Sequence, residues 1–76
     1  MKNEILLLIS EHCVSCSRAI SQLERIQKIN PNITTKVMDI YNYSDKKIFI
    51  TPAWILNGDL ITYGLIDEKK INNKLI

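Results

Sequence analysis

The sequence contains few of the cysteines that cross-link small disulfide-rich domains and few of the glycines and prolines that are typical of flexible chains. Its 76 residues include only two cysteines, two prolines and two glycines. Glycine and proline are too scarce for a linker or a low-complexity segment, and a hydrophobic content of 46% is too high for intrinsic disorder. A chain of this length buries only roughly 60% of the surface that it exposes when unfolded. We therefore expect one small globular domain over 1–76.

Long hydrophobic runs are also missing. The apolar run from Ile5 to Ile9 is five residues long, whereas the core of a signal peptide needs roughly 7–15 apolar residues. A membrane-spanning helix needs roughly 18. We expect a cytoplasmic protein that does not associate with membranes.

A strong excess of charge of one sign is absent as well. Ten basic and eight acidic residues leave a formal charge of +2. The excess comes from dispersed lysines, including the pairs at 46–47 and 69–70, and such pairs are typical of a solvated surface. Nucleic-acid binding normally needs a clustered basic face, so we expect no nucleic-acid partner.

The hydrophobic pattern of the first half predicts a strand, a helix and a second strand. The run at 5–9 is typical of a strand buried on both faces. Apolar residues then recur at spacings of three and four, which predicts an amphipathic helix from near Cys13 to Asn30, before Pro31. Residues 33–40 are rich in β-branched side chains and predict a strand parallel to the first, because a helix connects the two.

The second half contains a predicted β-hairpin. Its apolar strands cover 53–56 and 60–63, and Asn57-Gly58 between them is typical of a two-residue turn with positive φ at both positions. We expect Trp54, in the first hairpin strand, to pack in the core rather than to act as a substrate platform.

Two further helical segments are predicted on either side of the hairpin. Residues 41–48 are compatible with a loop or one short helix, capped at Ser44 or Asp45. Asp67 is a suitable N-cap for a final helix. The predicted order is strand, helix, strand, short helix, hairpin and helix, which is an α/β arrangement.

The two cysteines are separated by two residues at the predicted start of the first helix. A disulfide between Cys13 and Cys16 would close a very short loop and so add little stability, which points to chemistry rather than to a structural role. The free amides and the dipole at the start of a helix favour the thiolate form of Cys13, which is the nucleophile that attacks disulfides. Cys16, one turn later, is placed to resolve the resulting mixed disulfide.

Other interpretations of the pair remain open. Two thiolates at this spacing are half of a zinc site, and His12 is the remaining soft ligand in the sequence, so a copper or zinc carrier is the main alternative. Two cysteines that are simply buried are another. His12 either stabilises the Cys13 thiolate or is an exposed loop residue without a special role.

Taken with Thr51-Pro52 before the hairpin, the cysteine motif resembles that of the thioredoxin-like superfamily, and by size its glutaredoxin-like branch. The resemblance implies a three-layer α/β/α domain with a four-stranded mixed sheet, in the order β-α-β-(short α)-β-β-α. It implies that Pro52 is a cis-proline beside the cysteines and that the backbone of Thr51 binds the extended substrate chain. An adaptor that uses this face without catalysis is a third possible function.

The resemblance also implies an activity, with departures that limit it. We expect a monomeric thiol–disulfide oxidoreductase that needs no cofactor or metal and exchanges disulfides with a protein substrate and a reductase or other dithiol donor. Thioredoxins carry Gly-Pro between the cysteines and glutaredoxins usually Pro-Tyr, whereas this chain has Val14-Ser15. Glu11-His12 stand where glutathione-using members have a basic residue, so we do not expect glutathione to be the main reductant.

Overall fold

Four strands form one mixed sheet in the computed structural model, which describes residues 3–75. In chain order they are β1 (Glu4–Ile9), β2 (Thr34–Asp39), β3 (Ala53–Leu56) and β4 (Asp59–Tyr63). They lie side by side in the order β2-β1-β3-β4, with β1 and β2 parallel and the other neighbours antiparallel. The predicted sheet is therefore confirmed. The single-domain prediction over 1–76 includes positions 1, 2 and 76, which lie outside the described residues.

Two α-helices pack against one face of this sheet. They are α1 (Cys16–Ile29) and α2 (Glu68–Lys74). The end of α1 before Asn30 is confirmed. The predicted cap of α2 is confirmed too, because the Asp67 carboxylate accepts hydrogen bonds from the backbone N–H groups of Lys69 and Lys70. Neither helix, within residues 3–75, is long and apolar enough to cross a membrane.

The centre of the sheet is buried on both faces because β1 is apolar from Ile5 to Ile9. Ile5 and Leu7 point into a core shared with Trp54 and the two helices, while Leu8 joins Ala53 in a second cluster on the opposite face. This two-sided burial confirms the interpretation of the continuous apolar run. It also places the carboxyl end of β1, where the cysteine segment begins, between the two packed faces.

Residues 40–52 cover the second face instead of an α-helix. The segment begins with one 3-10 turn at Ile40–Asn42, and Tyr43 follows it and packs on the second cluster. Of the two alternatives predicted for 41–48, a loop or one short helix capped at Ser44 or Asp45, the loop describes 43–48, and the helical turn lies earlier, at Ile40–Asn42. Asp39, the last residue of β2, caps the turn instead, because its carboxylate accepts a hydrogen bond from the Tyr41 N–H. The outer layer on this side is thin.

The hairpin turn between β3 and β4 has the predicted conformation. Asn57 and Gly58 have φ values of 52° and 89°, so both central positions are left-handed, as a type I′ turn requires. The turn also contacts the amino end of β1, because Asn57 N–H donates to the Glu4 carbonyl at 2.8 Å. This contact fixes the register between β1 and β3, which matters at the other end of the two strands.

Candidate active site

Residues 13–15 form a turn that precedes α1, and they are not the first turn of the helix. Cys16 is the first helical residue, and its N–H donates to the Cys13 carbonyl at 3.3 Å. The regular helical bonds begin only with Ala19 N–H, which donates to the Ser15 carbonyl at 3.0 Å. The prediction that the helix starts near Cys13 was therefore wrong by three residues. The turn from Cys13 to Cys16 supplies a hydrogen-bond acceptor for the Cys16 N–H, and the helix begins only after this turn.

His12 lies in a turn at 11–12, just before the cysteines. Its φ of 60° lies in the left-handed region, which is uncommon for a residue other than glycine. The side chain is exposed. Of the two interpretations of His12, the exposed loop residue agrees with this position. The residue nevertheless has a backbone role, since it turns the chain from the end of β1 towards Cys13.

Cys13 and Cys16 are joined by a disulfide, with their Cα atoms 5.4 Å apart. The two cysteines differ in exposure: Cys16 is buried at 5% relative exposure, whereas Cys13 is partly exposed. A thiol at the Cys13 position is the one that a partner can reach, and a thiol at Cys16 lies behind it. This asymmetry matches the separate attacking and resolving functions that the spacing predicts, although the functions themselves stay predictions.

Thr51 and Pro52 form the second half of the site. The peptide bond between them is cis, as the resemblance implied. Pro52 is fully buried, and its carbonyl accepts a hydrogen bond from Gly64 N–H at 2.7 Å. Thr51 is partly exposed. The dipeptide therefore has a fixed proline and a threonine that remains accessible.

The antiparallel pairing of β1 and β3 brings the two halves together. Leu8 lies opposite Ala53 in the ladder. Two residues after Leu8 and two residues before Ala53, the same register places Ser10 opposite Thr51, and their hydroxyl groups are hydrogen-bonded at 2.6 Å. The segment that leads into Cys13 and the segment that leads into Pro52 are thus neighbours at the same end of β1 and β3.

Trp54 belongs to the core and is hydrogen-bonded to Gly64 at the end of β4. It is fully buried, which confirms the predicted packing. Its indole Nε1–H donates to the Gly64 carbonyl at 2.7 Å. Gly64, whose φ is 77°, is therefore held by two hydrogen bonds, one from Trp54 and one to Pro52. These bonds tie the end of β4 to the cis-proline.

Four exposed apolar side chains lie in the segments that contain the cysteines, the Thr-Pro dipeptide and Gly64, and the sequence did not predict them as a group. Val14 lies between the two cysteines and is 92% exposed. Phe49 and Ile50 come directly before the Thr-Pro dipeptide, and Leu65 follows Gly64; Phe49 is 77% exposed. We call Val14, Phe49, Ile50 and Leu65 the apolar rim. Its members come from three separate segments, so only the adjacency of those segments in the fold reveals it.

A metal site is incomplete in the part of the chain that the structure describes. Residues 3–75 contain no group of three or more His, Cys, Asp or Glu side chains placed to hold a metal ion. Cys13 and Cys16 would supply at most two thiolates. A zinc carrier would therefore have to take further ligands from another molecule.

Comparison with known proteins identifies the architecture. No protein-family model and no curated protein matches the chain. Among solved structures, malaria parasite thioredoxin-2 superposes with a TM-score of 0.77 at 13% identity, over 96% of this chain and 80% of that chain. Fasciola hepatica thioredoxin gives a TM-score of 0.74 at 13% identity, over 97% and 78% of the two chains. The fold is thioredoxin-like.

A further structural neighbour of this thioredoxin-like chain is a part of a larger enzyme. The NTD_N/C domain of the alkylhydroperoxide reductase AhpF from Enterococcus faecalis superposes with a TM-score of 0.79 at 26% identity. The match covers 100% of this chain but 39% of that chain, so the present chain spans well under half of that neighbour. A thioredoxin-like fold with a Cys-x-x-Cys disulfide at this place supports a thiol–disulfide redox function in general terms.

Proposed function

We propose that this thioredoxin-like chain is a thiol–disulfide oxidoreductase that exchanges disulfides with a protein partner. The observation that carries the proposal is the Cys13–Cys16 disulfide, with one partly exposed and one buried cysteine, beside the Thr51-Pro52 segment. The partial exposure of Cys13 lets a partner reach one of the two sulfurs. A cytoplasmic location is part of the proposal, because isolated disulfides in that compartment tend to be transient and catalytic.

The reaction uses the two sulfurs in sequence. In the reduced protein, the Cys13 thiolate attacks one sulfur of the partner's disulfide, forms a mixed disulfide and releases the partner's other thiolate. The Cys16 thiolate then attacks the Cys13 sulfur, which forms the Cys13–Cys16 disulfide and releases the second partner thiol. Two electrons pass from the dithiol to the partner. A reductase or other dithiol donor returns the protein to the reduced state by the same two exchanges.

The accessible surface around Cys13 favours a protein partner. The apolar rim offers exposed hydrophobic side chains between the cysteines, before the Thr-Pro dipeptide and after Gly64, which suit a polypeptide with apolar residues next to its cysteine. Within residues 3–75, the backbone N–H and C=O groups of Thr51 have no hydrogen-bond partner. An extended segment of the partner can pair with these groups as an added strand. Glutathione offers far less backbone and apolar surface, and it is not the main reductant in this proposal.

Trapping of the mixed disulfide tests the proposal. Cys16→Ser removes the resolving thiol, so we expect this variant to form a stable one-to-one adduct with a protein disulfide substrate such as insulin. Cys13→Ser removes the attacking thiol and should form no comparable adduct. Non-reducing mass spectrometry measures both, and both variants should lose turnover of insulin disulfides with dithiothreitol as the electron donor.

The control separates redox exchange from the metal alternative. Wild-type protein purified under reducing conditions is assayed for bound copper and zinc. Equal adduct formation by the two variants, or unchanged turnover in both, would contradict the assignment of Cys13 and Cys16. A stoichiometric metal ion together with absent turnover would favour the carrier.

A further inference from the structure

The Ser10–Thr51 contact replaces a backbone pair of the sheet with a side-chain pair. Asn57 N–H donates to the Glu4 carbonyl across β1 and β3. In an antiparallel ladder such hydrogen-bonded pairs recur at every second residue, so the same register would place the pair after Leu8–Ala53 at Ser10–Thr51. No backbone hydrogen bond joins these two residues in the described chain. The hydroxyl groups meet instead, at 2.6 Å.

This replacement has two consequences at this end of β1 and β3. Among the described residues the backbone of Thr51 has no hydrogen-bond partner, so it remains available to a bound chain. At the same time Thr51 is still tied to β1, because its hydroxyl is held by Ser10, which lies three residues before Cys13. The position of the docking backbone is thereby linked to the segment that carries the attacking sulfur.

We propose that Ser10 is a positioning residue for partner docking, acting through the Thr51 hydroxyl. The inference rests on the proposed function and adds a residue to it. Without the hydroxyl pair, Thr51 has to be ordered when the partner binds, and ordering a flexible segment weakens binding. Ser10 touches neither sulfur, so the chemical step itself does not depend on it.

The experiment compares a protein disulfide with a small one. Ser10→Ala and the nearly isosteric Thr51→Val each remove one hydroxyl, Ser10→Thr keeps it, and Ser21→Ala removes an exposed hydroxyl on α1 as a matched control. For insulin, we expect KM to rise about three- to tenfold in Ser10→Ala and in Thr51→Val, with kcat nearly unchanged. The double variant should be no worse than either single variant, because both remove the same interaction. Ser10→Thr and Ser21→Ala should match the wild type.

Reduction of hydroxyethyl disulfide, which has no polypeptide to dock, is expected to be unchanged in Ser10→Ala, Ser10→Thr and Ser21→Ala. An unchanged KM for insulin in both Ser10→Ala and Thr51→Val would overturn the inference while the oxidoreductase proposal stands. Independent, multiplying effects in the double variant would also overturn it, as would an equal loss with the small disulfide. A wild-type protein that reduces neither substrate would overturn the proposed function, and the positioning role with it.

Discussion

His12 shows how a single residue directs the chain into the site. Its left-handed backbone turns the segment after β1 towards Cys13, and the imidazole itself is exposed. A left-handed conformation costs an L-residue roughly 1–2 kcal/mol, and it is least favourable for β-branched side chains. The site therefore depends on the backbone conformation of a residue that takes no part in the proposed reaction.

Substitution at His12 should reveal this requirement. His12→Val is expected to lower the free energy of unfolding by roughly 1–2 kcal/mol, because valine is the poorer fit to positive φ. His12→Gly should stay within about 0.5 kcal/mol of the wild type, since relief of strain offsets the extra freedom of the unfolded chain. Urea unfolding followed by the fluorescence of Trp54 measures both. Equal stability of the valine and glycine variants would contradict the argument.

At the level of the elements, the ends of the helices depend on individual polar side chains. Asp67 Oδ1 accepts from two backbone N–H groups at 3.1 and 3.3 Å and so satisfies the first turn of α2. This helix is seven residues long. A helix so short has little intrinsic stability and depends on its cap and on the packing of Ile71.

Removal of the cap should destabilise the protein through α2. Asp67→Ala is expected to reduce the free energy of unfolding by about 1 kcal/mol, because two N–H groups lose their acceptor. Asp67→Asn keeps a side-chain oxygen and serves as the control, with a much smaller loss expected. Urea denaturation of the two variants decides the point, and an alanine variant as stable as the asparagine variant would refute the capping role.

Most elements follow from the sequence because their signals are local. The apolar run of β1, the Asn57-Gly58 turn and the Asp67 cap each act within a few residues of chain, and each was predicted correctly. The start of α1 was not, because a turn across the cysteines competes with the first helical bonds. The helical turn begins before the predicted caps because Asp39, at the end of β2, caps it.

The parts of the site that the sequence did not predict depend on distant contacts. The bond between Ser10 and Thr51 joins residues 41 positions apart, and it becomes visible only when the register of β1 and β3 is known. The apolar rim likewise collects residues from separate segments. The cysteine pair was recognisable because both of its members lie in one short motif.

At the scale of the whole molecule, a charge pair joins the two helices. Arg25 on α1 donates two hydrogen bonds to the Glu68 carboxylate at the start of α2, at 3.0 and 3.1 Å. The hydrogen bond from Arg25 lowers the pKa of Glu68, and partial burial opposes that effect. A group whose pKa is lowered in the folded state stabilises the fold when it is ionised. That contribution is present above the ordinary carboxyl pKa of about 4.3 and is lost as the pH falls through the lowered value.

The pH dependence of stability tests this link. Glu68→Gln should be less stable than the wild type at pH 7, and the difference should shrink towards zero as the pH falls below about 4. The pair is largely exposed, so the effect at neutral pH should be small and should weaken with added salt. Urea unfolding at several pH values measures it. A difference that is constant with pH would show that Glu68 acts by packing alone.

We expect the protein to stay folded when the disulfide is reduced. Its core includes Ile5, Leu7, Trp54 and the buried faces of both helices, and the Cys13–Cys16 loop is too short to constrain the unfolded chain strongly. The two sulfurs are therefore free to cycle between dithiol and disulfide in a chain that stays folded.

Redox titration of the wild-type protein tests this central claim most directly. The protein is equilibrated with glutathione or dithiothreitol buffers, its disulfide content is measured by thiol labelling, and its folding is followed by circular dichroism. The account predicts one two-electron transition between about −270 and −120 mV, with the protein folded on both sides of it. Unfolding on reduction, or a disulfide that remains intact to potentials below about −300 mV, would identify a structural bridge and contradict the account.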